Sequence, residues 1–140
     1  MIDMTNEQLI LKAKNARNNA VAGISGFKVG AALMTKEGII IQGCNIEDPS
    51  GIGITNVCAE RCAVIKAISE GHRNFIKIAV VGGPANTDRL IFCAPCGACR
   101  QYLNSWCPDI KVILQENDGK IKEYDLSELL PYSFNEDYSL

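Results

Sequence analysis

Two short segments constrain this chain more than anything else in it: Cys58-Ala59-Glu60-Arg61 and Pro95-Cys96-Gly97-Ala98-Cys99-Arg100-Gln101. The first offers a thiolate and, two residues on, a carboxylate. The second sets two cysteines at i and i+3 behind a proline, the spacing of a helix start, so both sulfurs can face one point. A helix start also favours the thiolate form that a metal needs. Cys58, at the start of another expected helix, can complete a tripod. Three soft ligands and one acid are what a hydrolytic zinc site with an open position requires. Three thiolates on Zn2+ leave a formal charge of about minus one and weaken it as a Lewis acid. Two helix N-termini, and an Arg61 guanidinium donating to the sulfurs, would draw off part of that charge.

The same cysteines allow other arrangements. Cys58-x-x-x-Cys62 with Cys96-x-x-Cys99 is a set of four, and a closed structural zinc site is the commonest use of such a set. Cys93-Ala94-Pro95-Cys96-Gly97-Ala98-Cys99 offers a further combination. Spacing alone leaves the choice open. Glu60 favours the catalytic arrangement, because a structural site has no use for a carboxylate between two ligands. Its plainer reading is an acid in a helix's first turn, facing solvent.

With 140 residues the chain is expected to form one domain, 1–140, large enough to bury a core. Its formal net charge of -2, with no Lys/Arg run, excludes a binder of long nucleic acid, whose affinity comes from neutralising phosphates. A small neutral substrate fits better. No apolar stretch reaches the roughly 18 residues of a membrane span. The first residues, Met1-Ile2-Asp3-Met4-Thr5-Asn6-Glu7, lack the basic and apolar regions of a secretory leader. Seven cysteines without such a leader read as metal ligands or reduced thiols rather than a disulfide framework, so a cytoplasmic location is expected.

Thr5 and Gln8 form a capping-box pattern, and Leu9, Ala13, Ala16 and Ala20 recur at helical spacing, which predicts a helix over residues 5–22. Strands are expected at 29–34 and 39–46 around Lys36-Glu37-Gly38, then a loop through Asp48 to Gly53. A second helix is expected over 58–70 with Gly71 as its stop. A buried strand at 76–81, a helix at 96–106, strands at 111–114 and 121–124 around Asn117-Asp118-Gly119, and a short helix at 127–130 complete the pattern. The tail after Phe134 is polar and expected to be loose. This order makes an α/β layered domain with a mixed sheet of about five strands.

The chain resembles the small, homotetrameric, zinc-dependent cytidine deaminases along nearly its whole length. The resemblance is carried by Phe27-Lys-Val-Gly-Ala-Ala-Leu33, Gly43-Cys-Asn-Ile-Glu47, Cys58-Ala-Glu-Arg61, Lys66-Ala-Ile-Ser-Glu-Gly71, Pro95-Cys-Gly-Ala-Cys-Arg-Gln101, and Glu128-Leu-Leu-Pro131 with Phe134. It implies a three-layer α/β/α fold and one zinc per chain on Cys58, Cys96 and Cys99. Cys44, Cys62, Cys93 and Cys107 are then core or surface thiols. Arg61 would hydrogen-bond the ligand sulfurs. Glu60 would move protons from water to N3 of the cytosine and on to the leaving amine, giving uridine or deoxyuridine and ammonia, a step of pyrimidine salvage.

The same resemblance places Asn45 and Glu47 on the ribose hydroxyls, Phe27 against the pyrimidine, backbone groups around Ala59 on the base, and Phe134 at a neighbouring subunit's site. From the residues alone, Phe27 reads as core packing, Asn45 and Glu47 as polar residues closing a strand, Phe134 as an anchor for the tail, and His72 as a surface residue.

The chain departs from the family in one loop. The segment Asp48-Pro-Ser-Gly-Ile-Gly-Ile-Thr-Asn-Val57 has no aromatic residue where members usually carry one, has two glycines, and is slightly longer than usual. Ala94 stands where serine is common. These changes leave zinc chemistry intact and put the substrate in question. The alternatives are a deaminase of the same fold acting on another aminated heterocycle, such as a cytosine-containing antibiotic, and a non-catalytic binding protein stabilised by a four-cysteine zinc site.

Overall fold

The structure, a computed structural model, describes residues 4–135. The expected loose tail beyond Asn135 and the leader reading at Met1–Asp3 lie outside those residues.

A five-stranded sheet carries the fold. Its strands are β1 (Phe27–Thr35), β2 (Ile40–Cys44), β3 (Phe75–Pro84), β4 (Lys111–Gln115) and β5 (Ile121–Asp125), in the order β2-β1-β3-β4-β5. Only β3 and β4 run parallel; the other neighbours are antiparallel, so the sheet is mixed as expected. β3 lies at the centre, and its run from Ile78 to Gly83 is buried throughout, the pattern of a strand covered on both faces.

Four helices make the two outer layers. α1 (Asn6–Arg17) covers one face, where Leu9, Ile10 and Ala13 pack on Ala32, Met34, Ala79, Val81 and Ile113. α2 (Ala59–Ser69), α3 (Gly97–Trp106) and α4 (Leu126–Leu129) cover the other, where Ala63, Val64, Ala67, Leu103 and Leu126 pack on Leu33, Ile78, Val80, Val112 and Leu114. The three-layer α/β/α arrangement follows from that alternation.

Two close approaches set how tightly the layers stack. A Cβ on Gly30 would meet the Ala13 carbonyl oxygen at 2.0 Å, and one on Gly43 would meet the Ala63 amide nitrogen at 2.5 Å. Glycine at these points lets α1 and α2 lie with their backbones almost on the sheet.

Thr5 caps α1 through the expected reciprocal box with Gln8. α2 ends as its glycine predicts: Gly71, at φ 97°, donates to Ile68 and His72 donates to Ala67, which closes the last carbonyls. The first helix is shorter than its pattern, ending at Arg17 rather than at 22. The apolar spacing continues to Ala20, but Val21 donates to the Asn45 carbonyl and accepts from Glu47, so strand-like pairing takes the backbone that a helix would need. β2 stops at Cys44 rather than 46 because the Asn45 side chain takes over the pairing with β1.

No helix among the described residues is long and apolar enough to cross a membrane.

Candidate active site

β3 leads into α3, which crosses over to the parallel strand β4. Ligand sites in such sheets sit beyond the carboxyl end of the strand, where connections enter helices. Two helices begin there. Cys58 is the N-cap residue of α2 and Cys96 that of α3, both in extended backbone, and neither thiol is spent on a capping hydrogen bond. Cys99 lies in the first turn of α3, buried beneath them.

The sulfurs of Cys58, Cys96 and Cys99 all lie within 4.8 Å of one another, and those of Cys58 and Cys96 are 3.8 Å apart. Zinc–sulfur bonds of about 2.3 Å in a tetrahedron put sulfurs about 3.8 Å apart, which is the Cys58–Cys96 separation, so the three thiols are gathered closely enough to hold zinc. Cys96 is exposed and Cys99 buried, so the cluster opens to solvent on the Cys96 side.

Its charge environment also suits a metal. The Cys99 thiol and the Arg61 guanidinium both donate to Cys58 and lower its pKa to about 5, against the cost of burial. The proton that leaves Cys58 so readily is correspondingly held by Cys99, whose pKa is raised. Arg61 Nη2 stands 3.5 Å from the Cys58 sulfur, while its Nε is buried with no acceptor among the described residues. The Cys58 sulfur first, and the Cys99 sulfur after it, keep the guanidinium protonated, its pKa raised.

Glu60 follows Cys58 by two residues in the first turn of α2 and is only 4% exposed. A solvent-facing acid is thereby excluded. Burial pushes its pKa up to about 7, helped by the Cys58 charge and opposed by donation from the Cys99 thiol. A carboxyl group poised there can both accept and release a proton near neutral pH.

The remaining expected residues are placed as follows. Ala59 is buried at the start of α2, between Cys58 and Glu60. Phe27 opens β1, and its ring edge lies over Gly82 on the same face of the sheet as α2 and α3. The Asn45 amide bridges the β1 backbone, accepting from Val29 at 2.8 Å and donating to the Phe27 carbonyl at 2.9 Å. One Glu47 oxygen accepts from the Ile24 and Ser25 amides at 2.9 and 3.0 Å, and donation from Ser25 holds the carboxyl below its usual pKa. Phe134 is tied through its backbone to Gln101 on α3, with its side of the chain 66% exposed. Cys62 and Cys93 stand outside the sulfur cluster, as do the buried Cys107 and the half-buried Cys44.

The loop at 48–57 is closed on itself. Asp48 accepts from Ser50 through its amide and hydroxyl and from the Thr55 hydroxyl, while its own amide donates to Asn56. A turn of 3-10 helix at Gly53–Thr55 leaves Ile54 92% exposed at the tip.

Sequence reasoning gave Arg100 no role. Its Nε donates to the Pro95 carbonyl and its Nη1 to the Leu129 carbonyl, both at 2.7 Å. It therefore fixes the turn before Cys96 against α4. The signal was available: a cation in the early turns of a helix runs against the dipole and needs another purpose.

The family described as the cytidine and deoxycytidylate deaminase zinc-binding region matches residues 3–115. A cytidine deaminase of Halalkalibacterium halodurans is 49% identical over 132 residues, covering 94% of this chain and 95% of that one. A blasticidin-S deaminase of Bacillus cereus is 38% identical over 109 residues, covering 76% of each. The crystal structure of a cytidine deaminase from Burkholderia pseudomallei superposes with a TM-score of 0.82 at 41% identity, covering 94% of this chain and all of that one.

Proposed function

The chain belongs to the zinc-binding cytidine and deoxycytidylate deaminase family, and from that premise we propose that it hydrolyses cytidine and deoxycytidine to uridine, deoxyuridine and ammonia. The buried Glu60 carboxyl beside three convergent sulfurs carries this reading most directly. A binding protein built around a four-cysteine zinc site would need a fourth sulfur in the cluster and would gain nothing from a buried acid.

Cys58, Cys96 and Cys99 would hold one zinc ion per chain. The zinc supplies Lewis acidity, which makes a nucleophile of water at neutral pH. Glu60 accepts the proton of that water and delivers it to N3 of the cytosine as C4 is attacked. It then carries a proton to the departing amine, so one carboxyl group serves as base and acid in turn. Arg61 steadies the thiolates by donating to Cys58. Phe27 walls the base, backbone groups around Ala59 hold its polar edge, and the second oxygen of Glu47 together with the free lone pair and N–H of Asn45 meets the ribose hydroxyls. Their existing bonds to the 24–29 backbone hold these two side chains in place for that purpose.

We further take residues 1–140 as one domain, acting in the cytoplasm in pyrimidine salvage as a homotetramer in which Phe134 reaches a neighbour's site. The loop at 48–57 favours one second reading. Lacking an aromatic side chain, it offers less stacking surface, and the same fold could serve a cytosine-containing antibiotic, as the Bacillus cereus relative's name suggests for that protein. Loss of ultraviolet absorbance with cytidine, deoxycytidine, cytosine, cytidine monophosphate and blasticidin S separates the two. Turnover of the nucleosides well above the antibiotic is expected; the reverse order would replace the first reading by the second.

A further inference from the structure

Cys93 is a ligand candidate by spacing, yet it stands outside the metal cluster and the mechanism gives it no part. Its surroundings are specific. Ile91 pairs with Gly82 at the end of β3, donating to its carbonyl at 3.0 Å, and this carries the chain back over the sheet so that Cys93 comes to rest on Gly82. A Cβ on Gly82 would meet the Cys93 sulfur and Cε1 of Phe27 at the same 2.8 Å, and Cγ2 of Val29 at 3.2 Å. Sulfur and ring edge therefore converge on one point, in the space that a side chain at 82 would fill. The Glu60 carboxyl and Cys58 lie close enough to raise the Cys93 pKa further, on top of what its burial does, to about 12. The thiol and the Phe27 ring edge thus share the space over Gly82.

We propose that Cys93 is a positioning and specificity-determining residue: its thiol, seated on Gly82, braces the Phe27 ring and so sets the position of the wall that the ring makes for the base subsite. The proposal rests on the reading of Phe27 as a wall of the base pocket. A sulfhydryl suits the place because it is small, apolar and polarizable, so it packs against an aromatic edge without asking for a hydrogen bond. A larger side chain at 93, or any Cβ at 82, would push the ring into the space meant for the pyrimidine. Because the wall contacts the base in ground and transition states alike, its displacement should weaken binding and leave the chemical step nearly untouched.

The test uses the zinc-loaded protein and three variants: Cys93→Leu, Gly82→Ala, and Gly82→Ala with Cys93→Ala. Overpacking predicts that Cys93→Leu and Gly82→Ala each raise KM for cytidine about tenfold, with kcat within about twofold and full zinc content. The double variant should recover about threefold in KM over Gly82→Ala, because the new methyl takes part of the space the sulfur leaves. Unchanged KM in both single variants would overturn the proposal. So would a double variant no better than Gly82→Ala, or loss of zinc in the double variant but not in Gly82→Ala, which would make the thiol part of the metal site. A wild-type protein that turns over no cytidine would defeat the proposed activity instead. The bracing is then read from melting temperature, where partial restoration of Gly82→Ala by Cys93→Ala supports it and a further loss overturns it.

Discussion

Glu60 gives up its hydration to lie 4% exposed, and what lowers its pKa most against that burial is the Cys99 thiol rather than the Arg61 cation. Such burial costs stability, and proteins keep groups of this kind where function needs them. Glu60→Gln should therefore fold at least as stably and hold full zinc, yet lose turnover by at least about a thousandfold, since one group serves several proton transfers. Zinc analysis, a melting curve and the cytidine absorbance assay check this; turnover within tenfold of normal would remove Glu60 from the mechanism. The sulfurs give a second test. Alanine at Cys58, Cys96 or Cys99 should empty the site, while alanine at Cys62 or Cys93 should leave one zinc per chain. Full zinc in Cys96→Ala would sink the assignment. Helix-start spacing paired Cys96 with Cys99 in the sequence, but it left the full ligand set open between Cys58, Cys62 and Cys93, and family likeness chose Cys58. Asn45 and Glu47 were legible only through family likeness. Their partners are backbone amides and carbonyls of Ile24 to Val29, and no residue pattern announces a bond to a backbone some twenty positions away.

Elements place those side chains only as well as the layers stack. Gly43 lets the first turn of α2 lie on β2, its missing Cβ falling 2.6 Å from the carbonyl oxygen of Ala59, the residue between Cys58 and Glu60 in the chain. Gly30 does the same for α1 on the opposite face. Alanine at either position forces a helix off the sheet and should cost at least about 2 kcal/mol, several degrees in Tm. The two should differ in function. Gly43→Ala displaces the turn that carries Cys58, so it should lose zinc to a chelator severalfold faster. Gly30→Ala should destabilise the protein while its folded fraction holds zinc normally. Equal zinc loss from both would mean that the stacking of α2 does not set the metal site. Arg17 shows what pattern reading misses at this scale. Its guanidinium, buried at the end of α1, donates to the carbonyls of Lys28, Gly83, Pro84 and Thr87. Helical periodicity registers Ala16 and Ala20 and runs on to 22, but it cannot see that Arg17 and Val21 have already turned to partners on β1, β3 and the end of β2. The layered domain with a mixed sheet of about five strands was legible, because helices between the strands leave few ways to cover both faces of one sheet; the order β2-β1-β3-β4-β5 and the parallel β3–β4 pair were not read from the sequence.

At the scale of the whole molecule, one chain leaves apolar groups uncovered around the site's edges. Ile24 is exposed beside the Glu47 turn, Ile52 and Ile54 stand out on the 48–57 loop, and Phe134 is exposed on the C-terminal segment tied to α3. None of them is loosely held. Glu47 fixes the backbone at Ile24, the Asp48 network fixes the loop, and Phe134 is clamped by two hydrogen bonds to the Gln101 amide, its carbonyl also reached by Asn104. In the proposed homotetramer these side chains would lie against neighbouring copies of the chain, and identical chains most often meet in closed symmetry. The proposed homotetramer predicts a particle of about four 15.2 kDa chains by light scattering. Ile54→Asp should shift it toward smaller species, because a charge would be buried without a partner. Phe134→Ala should keep the zinc and raise KM for cytidine, since the ring would be missing from the neighbour's site. Gln101→Ala should do the same with the ring still present, by freeing the tail that carries it, and Gln101→Glu should restore only the bond that accepts from the Phe134 amide. A monomer with normal cytidine kinetics would show that each site is complete within its own chain. Phe134 would then be an anchor for the tail and nothing more.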